Sequence, residues 1–168
     1  MPIPLRESPA MRLAFLLIAL AAPAGAACRG ETLFSCEIGS KQLEVCLSGQ
    51  SVSYRFGPPG RPEMDLTTPL SQTAYQPWPG VGRAIWEAVS FTNRGTTYEV
   101  WSSFDRLDPD ARPEGGVNVM NGDALAAQLT CRPGSMRAGL DLLYEAKEAI
   151  GQCWNRERQA WTAPPCAP

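Results

Sequence analysis

Residues able to move protons or attack carbonyl groups are scarce in this chain, and their types narrow the chemistry before any fold is drawn. None of the 168 residues is a histidine, so nucleophilic catalysis of the Ser-His or Cys-His kind lacks its base. A Ser-Lys variant would have to use Lys41 or Lys147, the two lysines. Lys41 falls in a predicted turn and Lys147 on the polar side of a predicted helix, and lysines so placed are ordinarily solvated charges. Carboxylates offer more. Glu87, Glu99, Asp105, Asp108 and Asp110 lie near aromatic residues, and two acids about 5 to 10 Å apart can cleave a glycosidic bond. Glu99 alternates with Trp101 along a predicted strand that places both beside Trp86. Trp86, Glu99 and Trp101 are therefore the candidate sugar-binding group, with ring faces for stacking and a carboxylate for hydroxyl groups.

The remaining chemistries fail on spacing. Asp105, Asp108 and Asp110 sit in DRLDPD, which lacks the EF-hand glycine and terminal Glu, so no calcium or other metal site is expected. Neither GxGxxG nor a P-loop occurs, and GPPG at 57–60 is a proline turn; no nucleotide or other cofactor is expected. The loop Tyr75-Gln76-Pro77-Trp78-Pro79-Gly80 carries two aromatics between residues that break helices and strands. Tyr75 and Trp78 are the candidate partner-binding anchors, since such side chains contribute disproportionately at interfaces. The competing expectation is that Trp78 folds down to cap one end of the fold.

These side chains must be positioned by elements legible in the hydrophobic period. Thr32 to Leu47 reads as two strands around Gly39-Ser40-Lys41-Gln42, with Ile38 facing Leu43, Cys36 facing Val45 and Phe34 facing Leu47 on one apolar side. Ser51 to Phe56 is a third strand and Met64 to Thr67 a short edge strand. Pro69 to Gly82, with three prolines and no period, is expected as a long surface loop. Ala84 to Phe104 forms the clearest hairpin, turning near Asn93-Arg94 and setting Val89 against Tyr98, Phe91 against Thr96 and Trp86 against Trp101. Apolar weight on both faces puts it at the centre of the fold. Val117 to Cys131 resembles another hairpin around Asn121-Gly122; Ala124 to Leu129 could instead begin a helix capped by Asp123, but the alternation Leu125, Ala127, Leu129, Cys131 favours a strand. After Pro133 the period changes. Leu140, Leu143, Ala146, Ile150 and Cys153 recur at helical steps, so Met136 to about Arg158 is expected as an amphipathic helix, weakened by Gly151.

Six cysteines, Cys28, Cys36, Cys46, Cys131, Cys153 and Cys166, have no CxxC spacing and imply structural disulfides in an exported protein. In the strand register above Cys46 points away from Cys36, which argues against that pair and leaves Cys131 and Cys28 as partners in an order that remains open. Cys166 can fold back to Cys153.

The run Leu33-Phe34-Ser35-Cys36, then Leu43-Glu44-Val45-Cys46, then Tyr54-Arg55-Phe56-Gly57 resembles an uncharacterised family of small exported bacterial proteins that share LFSC, a strand ending in VC, and YxFG. The similarity extends over roughly residues 28 to 132, through Gly80-Val81-Gly82-Arg83, Thr97-Tyr98-Glu99-Val100 and Gly115-Gly116-Val117-Asn118-Val119. It implies export and a β fold, and no activity.

Export has its own signature. Arg12, the apolar run Leu13 to Ala22 and Ala24-Gly25-Ala26 read as a signal peptide within residues 1–26. Cys28 follows small residues, but Gly25 stands where a lipoprotein signal carries Leu, so a lipid anchor at Cys28 is not expected. No later apolar run approaches the roughly 20 residues of a membrane span. A formal charge of −2 without a basic run gives no footprint for nucleic acid. The expectation is one disulfide-stabilised β domain over 27–132, with a C-terminal helix and tail over 133–168. The fold class is mainly β: antiparallel, sandwich-like sheets of about six or seven strands with a C-terminal α-helix. The functional expectation is a non-enzymatic periplasmic or secreted protein that binds an unidentified envelope or extracellular macromolecule. The alternative is a carbohydrate- or wall-binding or -active protein.

Overall fold

The structure is a computed structural model that describes residues 28–166; the signal segment expected over 1–26 lies outside the described residues. The chain is mainly β with two five-stranded antiparallel sheets packed as a sandwich. The first sheet holds β1 (Glu31–Ile38), β2 (Lys41–Ser48), β3 (Ser51–Gly57) and β4 (Met64–Pro69), with β10 (Arg137–Ala138) at the outer edge of β1. The second runs in the order β5 (Ala74–Gln76), β6 (Ala84–Asn93), β7 (Thr96–Asp105), β8 (Glu114–Asn121) and β9 (Ala124–Thr130). A helix, α1 (Leu142–Ala149), and a small hairpin, β11 (Cys153–Asn155) with β12 (Ala160–Thr162), complete the order. The sheets are larger than the six or seven strands expected, because the supposed loop and the supposed long helix both contribute strands.

Alternation decides which faces meet. Phe34, Leu43, Val45, Val52 and Tyr54 from the first sheet pack against Tyr75, Val89, Phe91, Val100 and Val117 from the second, all essentially buried. Tyr54 bridges the gap, its ring 5.4 Å from Phe91 and 5.7 Å from Tyr98, offset aromatic pairs that add to the area they bury. The disulfide Cys36 to Cys131 ties β1 to the end of β9. Alongside it the Arg132 amide donates to the Glu37 carbonyl at 2.7 Å, so the two sheets are joined covalently and by backbone. Cys28 pairs with Cys46 and Cys153 with Cys166; none of the described cysteines is free.

Register departs from expectation at two turns. The β1–β2 turn contains only Gly39-Ser40, so Cys36 faces Leu43 and Phe34 faces Val45. The β6–β7 turn is Arg94-Gly95, both with positive φ (50° and 84°), the backbone of a type I′ hairpin turn. It slides the pair by two residues: Phe91 faces Tyr98, Trp86 faces Ser103 and Trp101 faces Ala88. A two-residue slide keeps every side chain on its face, so the inward set survives and only the partners change. Residues 124–130 are strand, as the alternation favoured.

Two larger corrections concern the ends of the sandwich. Residues 69–82 are not a free loop: Leu70–Gln72 forms a 3₁₀ turn and β5 pairs with β6, burying Leu70, Thr73 and Tyr75. The long helix is an eight-residue helix. Arg137-Ala138 is used instead to extend the first sheet beside Phe34 and Ser35, and Gly151 at φ 84° ends α1 in a conformation that residues with a Cβ resist. The apolar stripe was real, since Leu140 and Leu143 are fully buried, yet it covers two turns rather than six.

Candidate functional site

The outward face of the second sheet is written by the register of its strands. Since Phe91 and Tyr98 point inward, the residues that alternate with them along each strand point out. One cross-strand row reads Gln76, Ala88, Trp101, Gly116, and the next reads Ala74, Ser90, Glu99, Asn118, Gln128. Hydrogen bonds run along the second row: Asn118 Nδ2 donates to Glu99 Oε1 at 3.0 Å and Gln128 Nε2 to Asn118 Oδ1 at 3.1 Å. Such a ladder fixes the Glu99 carboxylate and leaves it lone pairs for further donors. Trp101, one row away, has its indole N–H buried without a partner.

The C-terminal hairpin walls this face. Trp161 Nε1 donates to the Tyr75 carbonyl at 2.8 Å, using the open edge of β5, and its ring stacks on Tyr75 at 6.1 Å and meets Tyr144 edge-on at 5.1 Å. Trp154 packs on Trp161 at 5.5 Å, and Gln76 Nε2 donates to Gln159 Oε1 at 3.2 Å. The Cys153 to Cys166 disulfide closes the hairpin's ends. Between hairpin and sheet lies a cleft of about 330 Å³ lined by Ser90, Glu99, Gln76, Gln159, Trp154 and Trp161, among others. Aromatic rings beside amides, a hydroxyl and one carboxylate form a surface that can stack on a ring and bond to hydroxyl groups.

Lys147 anchors the hairpin from beneath. It is 1% exposed, not solvated: it stands one helical turn after Leu143 and so shares that residue's inward face. Its ammonium donates to the Leu70 carbonyl at 2.9 Å and Gln152 Oε1 at 3.0 Å, and lies 5.3 Å from the Trp161 ring centre. With no carboxylate among these partners, burial pulls its pKa down to about 8.

The individual candidates fare differently. Glu99 lines the cleft and Trp101 shares its outward face; Trp86 lies farther along β6, beside a separate cleft at the end of the sandwich. Tyr75 is 2% exposed because β5 pairing turns it toward Val89. Its hydroxyl donates to Glu87 Oε1 at 2.7 Å, so both ring and hydroxyl are engaged within the fold. Trp78 is half-buried, bonded through Nε1 to the Val81 carbonyl at 3.0 Å with the Arg106 guanidinium 5.1 Å from its ring centre. Asp105 and Asp108 accept backbone N–H groups of Leu107 and Asp110, and no group of three potential metal ligands occurs among the described residues.

Trp154, Trp161 and Gln159 escaped sequence reasoning because the helical period was carried past Gly151. That glycine, followed by two tryptophans seven residues apart, was the available signal. No helix among the described residues is long and apolar enough to cross a membrane, and three disulfides accord with an oxidising, non-cytoplasmic environment. No family model, curated protein or solved structure matches this chain, so its functional reading rests on the geometry of the cleft.

Proposed function

We propose that this chain is an exported, periplasmic or secreted binding protein that holds a saccharide of the cell envelope without cleaving it. One observation carries the reading: Glu99 and the indoles of Trp154 and Trp161 line a single open cleft with amide side chains between them. Glycoside cleavage requires a second carboxyl group across the bond, and among the described residues Glu99 is the one acid lining this cleft. Binding is therefore favoured over hydrolysis. The test is acrylamide quenching of tryptophan fluorescence with and without a soluble N-acetylglucosamine oligomer. Protection is expected in the wild type, with affinity falling at least about fivefold in Trp154→Ala, the usual scale for truncating a ring anchor. Quenching indifferent to saccharide would refute the ligand class.

A second reading, a protein partner, is favoured by Val81 and Leu107, 69% and 67% exposed. They lie on loops held together by the Arg83 to Asp105 ion pair and the Arg106 stacking on Trp78. Exposed apolar residues on two adjoining loops are a small contact patch.

A further inference from the structure

The cleft at the end of the sandwich differs in kind from the aromatic one. It measures about 370 Å³, and its walls include Ile85 and Trp86 from β6, Phe104 from β7 and Met136 beside β10. Two carboxylates, Glu87 and Asp141, also line it. Glu87 is half-buried, while Asp141 is exposed at the start of α1. Among the described residues neither forms an ion pair with a lysine or arginine. Glu87 accepts the Tyr75 hydroxyl at 2.7 Å and, as a carboxylate, has room for about four such bonds. A half-buried acid in a largely apolar cleft, next to a second acid and paired with no lysine or arginine among the described residues, is electrostatically incomplete.

We propose that this cleft is a binding site for a small aliphatic primary ammonium compound, its alkyl chain against Ile85, Phe104 and Met136 and its ammonium group on Glu87 and Asp141. The cleft's size falls at the lower end of small-molecule sites, which begin near roughly 300 Å³. An anion of the same shape would meet two negative charges. A neutral alcohol would fill the walls and leave Glu87 uncompensated.

The experiment titrates the disulfide-bonded protein with hexylammonium, hexanol and hexanoate, followed by chemical-shift changes in the methyl group of Met136, which lines the cleft. Hexylammonium should bind about tenfold or more tighter than hexanol, the scale of one charge-assisted hydrogen bond, and hexanoate should not bind. Glu87→Gln keeps an acceptor for Tyr75 and should bring hexylammonium to the level of hexanol; Phe104→Ala, at an exposed position, should weaken both. Equal binding of hexylammonium and hexanol to the wild type would overturn the proposal. So would hexylammonium binding that survives Glu87→Gln. The wild-type comparison decides the matter even if a variant fails to fold.

Discussion

Replacing Lys147 by Met tests the account of the helix and the C-terminal hairpin at once. Lys147 is buried and its pKa is pulled from 10.5 down to about 8 by burial. The unfolded chain therefore binds more protons than the folded chain between about pH 8 and pH 10.5, and stability must rise with pH across that window. The full separation corresponds to about 3 kcal/mol at about 1.4 kcal/mol per pH unit. Between ~pH 7.5 and ~pH 9.5 the gain is about 2 kcal/mol. Tyr54 and Tyr75 are pushed up by burial and act with the opposite sign, but only above about pH 10, where unfolded tyrosine ionises. No free cysteine among the described residues can reshuffle bonds in this range. Urea unfolding of wild type and Lys147→Met at several pH values is the assay. The difference in stability between the two should change by about 2 kcal/mol from pH 7.5 to 9.5, because the variant lacks the titrating group. Equal pH dependence in both proteins would refute the claim that this ammonium is held dehydrated beneath Trp161.

Two further outcomes follow from the packing. The Cys36 to Cys131 disulfide closes a loop of 95 residues and Cys153 to Cys166 one of 13, so removing the first as a Cys→Ala pair should cost about 4 to 5 kcal/mol and the second about 3 on the chain-entropy account. Urea midpoints of the two double variants check the order, and only the second should loosen the wall of the aromatic cleft. Gly115→Ala should cost about 1 to 3 kcal/mol by overpacking, since a Cβ there would lie 2.5 Å from Met136 Sδ and 3.1 Å from Phe34 Cε2; a thermal melt unchanged from wild type would contradict this.

The amino-acid sequence by itself determined the β class and which face of each main strand turns inward. It also determined that Cys46 points away from Cys36, since a period of two follows from backbone pleating and needs no partner. It placed Glu99 and Trp101 on a shared face for the same reason. What it could not settle was register, because Arg94-Gly95 and a turn one residue earlier both suit a hairpin and differ only in which residues meet. Nor could it say where the helical stripe stops: Leu140, Leu143, Ala146 and Ile150 keep the period, but Cys153 was the first stripe residue past Gly151. Tertiary structure decided both. The open edge of β5 offered the Tyr75 carbonyl, Trp161 took it, and the hairpin that did so brought Trp154 to the cleft that Glu99 also lines. Lys147 was misread on the same ground, since a charge on the inward stripe is tolerated only where carbonyl groups from a distant turn, here Leu70, replace its water. Partners far apart in sequence leave no local pattern, and the cleft is made of such partners.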